Sequence, residues 1–168
     1  MFGLLCNEGL DMFKIGDNIV YPMYGAGIIT DVVDKDFLGE VRQYYCVSLP
    51  YCRMEAQVPV DNCEKLGVRT IINKSRIEEV ITVLSGETEP MNPNWNKRYR
   101  DNTDRMRTGD ILEVAAVVRN LVRTDREKPL STGEKKLLAT AKQILESELI
   151  YAGGYTMDEA DDMVESNI

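Results

Sequence analysis

The chain contains no histidine among its 168 residues. That removes the side chain most often used as a general base and as the partner of a serine or cysteine nucleophile. Its four cysteines, Cys6, Cys46, Cys52 and Cys63, form no C-x-x-C pair, so a zinc site would need thiolates or carboxylates at unsuitable spacings, and free reduced thiols are expected. Neither GxxxxGK[ST] nor GxGxxG occurs, and Gly25-Ala26-Gly27 is too short a glycine signal to cradle phosphates. No run approaches the roughly 20 apolar residues that span a bilayer. The start, Met1 to Cys6, carries no cation ahead of Glu8 and Asp11, so it does not read as a secretory signal. The adjacent pair Asp161-Asp162 cannot work as a catalytic couple, because neighbours on a helix diverge by roughly 100°. A cytoplasmic, non-enzymatic protein with no cofactor, metal, membrane or small-molecule substrate is expected.

What is present is enough to fold. With 43% hydrophobic and 29% charged residues, the chain can bury a core, and its length suits one domain or two small ones. The net charge of −8 is unevenly placed: beyond Lys142 there is no cation but seven carboxylates, and removing those seven leaves −1 for residues 1–142. The acidity belongs to the end of the chain. Against it stands Asn94-Trp95-Asn96-Lys97-Arg98-Tyr99-Arg100, which sets the one tryptophan beside three cations. Between Lys97 and Arg107 five cations (Lys97, Arg98, Arg100, Arg105, Arg107) face only Asp101 and Asp104, a modest basic patch of the kind that meets nucleic acid. On residue type alone Trp95 reads equally as a buried anchor at a helix start, since tryptophan is mostly buried.

The hydrophobic period changes near residue 72. Before it, Ile19 to Tyr21, the β-branched run Gly27 to Val33, Val41 to Leu49, and the alternating Met54, Ala56 and Val58 predict four or five short strands separated by turns, a small antiparallel barrel. The strand Arg53, Met54, Glu55, Ala56, Gln57, Val58 ends at Pro59, which marks it as an edge. Tyr21, Tyr24, Tyr44 and Tyr45 are read as barrel packing in preference to a cage for a methylated cation.

After it the period is helical. Ile77, Val80, Ile81 and Leu84 follow i, i+3, i+4, i+7, with Asn73 or Ser75 as cap and Gly86 as stop. Asn94 and Asp110 are natural N-caps, and Ser131-Thr-Gly-Glu134 and Thr156-Met-Asp-Glu159 are capping boxes. About five helices in a bundle are expected, the last a solvated or frayed acidic end. The fold class is therefore α+β, with a β module followed by an all-α one.

Several of these segments, taken in order, resemble one family. Lys14-Ile-Gly-Asp-Asn-Ile-Val-Tyr-Pro-Met-Tyr-Gly25, the strand end Val58-Pro-Val-Asp-Asn62, Trp95-Asn-Lys-Arg-Tyr-Arg100, Gly109-Asp110 with Val117-Val-Arg119-Asn-Leu121, and Leu130-Ser-Thr-Gly-Glu-Lys135 are similar to the bacterial CarD/CdnL transcription regulators over about Met12 to Leu149. The resemblance implies a Tudor-like RNA polymerase-interacting domain at 12–72, shared with the transcription-repair coupling factor and docking on the lobe and protrusion region of the polymerase β subunit. It further implies a helical domain at 73–166 that contacts promoter DNA at the upstream edge of the melted bubble, with Trp95 as a minor-groove wedge. Residues 1–11 stand ahead of the family's usual start as an N-terminal extension.

On this reading the DNA-facing residues are Trp95, Lys97, Arg98, Tyr99, Arg100, Arg105, Arg107 and Arg119, and the polymerase-facing ones are Lys35 and Arg53 to Pro59. Relatives often present arginine where this chain has Lys35 and Gln57, and the resemblance does not extend to the acidic end after Tyr151. The protein would be cytoplasmic and reach the nucleoid through polymerase. An alternative remains open: a Tudor-like adaptor for another protein, carrying a helical module that stacks single-stranded nucleic acid on Trp95 and Tyr99.

Overall fold

The computed structural model describes residues 12–168; the N-terminal extension at 1–11, with Cys6, lies outside the described residues. Five antiparallel strands come first: β1 (Asn18–Tyr21), β2 (Gly25–Phe37), β3 (Glu40–Leu49), β4 (Met54–Pro59) and β5 (Arg69–Thr70). They form one sheet in the order β4-β3-β2-β1-β5. Leu38 and Gly39 both take left-handed φ (53° and 84°), the geometry a tight two-residue hairpin needs to match strand twist. Alternation sets the faces: Tyr45, Val47 and Leu49 of β3 and Val58 of β4 point inward with Phe13, Ile19, Ile29, Cys63 and Val68. The Tyr45 hydroxyl accepts from the Phe13 N–H (3.1 Å).

The expected barrel does not close. Beyond Pro59 the chain enters a 3-10 turn, Val60–Asn62, and β5 is only two residues long and pairs with β1, so no strand among the described residues bridges β4 to β5. The sheet stays open with β4 as one edge.

Five helices follow: α1 (Ile77–Ser85), α2 (Trp95–Arg107), α3 (Ile111–Glu127), α4 (Thr132–Gly153) and α5 (Met157–Ser166). Their starts are set by short-range side-chain chemistry. Asn94 accepts from the N–H groups of Asn96 and Lys97, Asp110 accepts from Leu112 N–H, and Ser131 and Thr156 form reciprocal boxes with Glu134 and Glu159. Each such cap stabilises its helix by about 1 kcal/mol. At α1 the expected cap is displaced, because Asn73 heads a 3-10 turn, Lys74–Arg76, that runs directly into the helix without a side-chain cap.

The helices enclose a second core built on Val80, Leu84, Val114, Val118, Leu121, Leu145 and Leu149. The acidic end is not frayed: Ala160 and Val164 of α5 are buried in that core, and Lys142 of α4 donates to Asp161 (2.8 Å) and Glu165 (2.7 Å).

Candidate nucleic-acid and protein interfaces

Trp95 is the first residue of α2, directly after the Asn94 cap. Asn92 accepts from the Asn94 N–H (2.9 Å), so two consecutive asparagine bonds fix the angle at which the helix begins. The indole is left 54% exposed and Tyr99, one turn on, 38%. For a residue type that is usually inside, this is a large aromatic surface left exposed by the described residues. The reading of Trp95 as a core anchor is not what the fold adopts.

The cations around it divide into two groups. Lys97, Arg100 and Arg107 point to solvent, Arg107 having only a distant partner in Asp104 (3.8 Å). Arg98, Arg105 and Arg119 are instead drawn inward into ion pairs. Arg98 donates from Nε to the Glu134 carboxylate (2.5 Å) and from Nη1 to the Asn92 carbonyl (3.2 Å). Its hydrogen bond holds the Glu134 carboxyl below the usual carboxylate range.

Arg105 pairs with Glu113 (2.6 Å) and Glu89 (2.8 Å). Arg119, 4% exposed, donates to the Val83 carbonyl (2.7 Å), to Glu89 (2.8 Å) and to Asn120. Glu89 thus ties the linker before α2 to both α2 and α3, and Arg105 before all else keeps its carboxyl charged below the usual range. These ion pairs consume charge that a linear count assigns to the patch.

The same packing supplies cations that the sequence reading missed. Because Arg98 clamps Glu134, the first turn of α4 lies against the first turn of α2, and a Cβ at Gly133 would touch the Tyr99 ring at 4.0 Å. Lys135 and Lys136, both exposed, follow at once. Their signal in the sequence is two adjacent lysines just after a capping box, near a helix N-terminus where the dipole disfavours positive charge.

On the sheet, β4 pairs with β3 through Tyr44↔Pro59, Tyr45↔Val58, Cys46↔Gln57, Val47↔Ala56, Ser48↔Glu55 and Leu49↔Met54, and no strand among the described residues pairs with its other edge. Met54, Ala56 and Val58 turn their side chains to the core, so they can offer a partner only main-chain groups. Glu55 and Gln57 face out, with Arg53 exposed in the preceding turn at φ 54°. Lys35 of β2 reaches across β3 to hydrogen-bond the Gln57 side chain and lies over the Tyr44 ring (5.9 Å). The two positions where relatives often carry arginine therefore share one outer face.

The tyrosines make no cage: Tyr45 is buried, Tyr21 packs against Tyr24 with the rings tilted (4.8 Å) and Tyr44 sits under Lys35. Cys63 is buried, and desolvation with Asp61 nearby pushes its thiol up to about 11, an unreactive setting. Among the described residues no cluster of three histidine, cysteine or acidic side chains could hold a metal, and no helix is long and apolar enough to cross a membrane.

The family model described as "CarD-like/TRCF RID domain" matches residues 13–72, and that described as "CarD, C-terminal domain" matches 79–165. The chain belongs to the CarD family. It is 40% identical over 146 residues, 86% of this chain and 95% of the other, to a protein of Bacillus subtilis (strain 168) named "Putative transcription factor YdeB". CarD-family proteins are non-enzymatic regulators, and the sheet half of this CarD-like transcription factor is of the type that interacts with RNA polymerase.

Proposed function

We propose that this CarD-family chain tethers through the free edge of β4 to the lobe and protrusion region of the RNA polymerase β subunit and stabilises the open promoter complex by wedging Trp95 at the upstream fork of the bubble. The observation that carries this reading is the 54% exposure of Trp95 at a rigidly capped helix start. An apolar ring set against an already distorted base step gains most where stacking is lost, so it binds the opened fork better than closed duplex. Only such differential affinity shifts an opening equilibrium, about 1.4 kcal/mol for each tenfold.

Lys97, Arg100, Arg107, Lys135 and Lys136 add phosphate contacts that position without reading sequence. So small a patch on a chain of net charge −8 binds free DNA weakly, and attachment to polymerase supplies the missing affinity as effective concentration. Strand addition at β4 relies on main-chain groups, which suits an edge whose alternate side chains are buried. The protein works in the cytoplasm, at promoters.

The test is open-complex lifetime on a bacterial promoter, measured after competitor challenge across a titration of the chain. Gln57→Pro deletes an edge N–H. It should move the titration to higher concentration while leaving the plateau lifetime unchanged, whereas a wedge variant should lower the plateau itself. A Gln57→Pro protein that folds and titrates like the parent would place the polymerase contact elsewhere on the sheet.

A further inference from the structure

We propose that the sheet and the helical half are locked into one rigid body by the buried carboxylate of Glu148, and that this lock holds Trp95 at a fixed offset from the polymerase anchor. The inference rests on the tether-and-wedge reading and adds what keeps the two ends in register.

One face of α4 runs along the sheet. Gln143 donates to the Tyr24 carbonyl (3.3 Å), Ser147 Oγ accepts from the Ala26 N–H (2.9 Å), and Tyr151 meets Tyr51 edge-on (6.0 Å). These residues recur at i, i+4 and i+8, so a single stripe of the helix makes all three contacts. Glu148, 1% exposed, borders that stripe, about 100° round the helix from Ser147. Its Oε1 accepts from Arg69 Nη1 (2.6 Å) and from the Ile72 N–H (3.0 Å), and its Oε2 accepts from Arg69 Nη2 (2.8 Å). Arg69 is the first residue of β5 and also donates to the Gly109 carbonyl in the turn between α2 and α3 (2.9 and 2.7 Å). One carboxylate and one guanidinium therefore connect the sheet edge, the segment leading to α1, the end of the wedge helix and α4.

The turn between β1 and β2 completes the joint. Met23 packs on the helical core at φ 73°, and a Cβ on Gly25 (φ 100°) would lie 2.7 Å from Ser147 Oγ. Any side chain here would be strained by the left-handed φ and would push on the Ser147 hydroxyl. A bidentate arginine-carboxylate pair fixes angle as well as distance, so losing it should free rotation of one half against the other without removing any group from either outer surface.

The experiment compares the parent with Glu148→Gln and with Arg69→Lys, which keeps the cation but loses the fork. Four quantities are read: affinity for a β lobe-protrusion fragment, affinity for fork DNA at low salt, backbone hydrogen exchange, and open-complex lifetime. Fragment and fork affinities should stay within about twofold, while the Ile72 and Ala26 amides exchange faster and the plateau gain in lifetime at saturating concentration falls about tenfold. A lifetime effect retained with those amides opened overturns the lock, as does its loss with them still protected. Loss of fragment binding, or unfolding of both variants, also overturns it, since Glu148 would then hold up a module and not couple two. A parent that neither binds the fragment nor prolongs open complexes sinks the underlying functional reading instead.

Discussion

Truncating Arg98 to alanine should destabilise the fold, and should do so more than it weakens DNA binding. The Arg98 side chain is 18% exposed and that of its partner Glu134 only 2%, so the truncation leaves a buried carboxylate without its counter-charge. Breaking a buried pair in this way costs about 3–5 kcal/mol. Glu134 keeps the Ser131 hydroxyl (3.0 Å) and a long bond from Ser131 N–H (3.4 Å), which brings the expected loss to about 2–3 kcal/mol. For a chain of this size that lowers Tm by about 5–10 °C.

The loss should depend on pH with a defined sign. The Glu134 carboxyl is held below the ordinary range in the folded protein. Its contribution is therefore complete above the unfolded carboxylate range and disappears as pH falls through the folded value. Thermal unfolding of parent and Arg98→Ala by circular dichroism should thus converge on acidification. A variant that melts like the parent at neutral pH while its DNA-binding salt slope falls by about 0.9 would make Arg98 a phosphate contact and refute the assignment.

Other outcomes follow from the same geometry. With three to four phosphates met by Lys97, Arg100, Arg107, Lys135 and Lys136, log K for fork DNA against log salt should have a slope of roughly −3 to −4. Charge reversal at Lys97 and Arg100 should flatten that slope on every promoter alike, and a loss confined to one base sequence would indicate direct readout. Glu146, buried on α4 facing Lys142, Asp161 and Glu165, is pushed up to about 7, chiefly by desolvation. Keeping it charged costs nothing below the unfolded carboxylate range and most above pH 7, so Glu146→Gln should raise stability by about 1–2 kcal/mol at pH 8 and change little at pH 5. Equal stabilisation at both values would rule out that cause.

Local order was readable from the sequence because its causes are local. The caps at Asn94, Asp110, Ser131 and Thr156 act over two or three residues, and the apolar stripes of α3 and α4 repeat within a turn. The edge position of β4 followed from Pro59. What could not be read depends on partners far along the chain. Arg98 meets Glu134 across 36 positions and Arg69 meets Glu148 across 79, so a local count of charge cannot show which cations of α2 are already paired or that the helix start carrying Lys135 and Lys136 packs beside them. The open sheet was likewise hidden, since closure depends on whether the chain after Pro59 returns as a strand that reaches β4 as well as β1. Trp95 itself was undecided by composition, and its exposure is set by the angle of the capped helix start.

The most direct test of the account is the lifetime of the open promoter complex with Trp95→Ala at saturating concentration. The variant should fold like the parent, bind the β lobe-protrusion fragment with unchanged affinity, and return the lifetime to that of polymerase without the chain. A Trp95→Ala protein that is folded and polymerase-bound yet keeps the full lifetime would contradict the wedge, as would one that fails to fold.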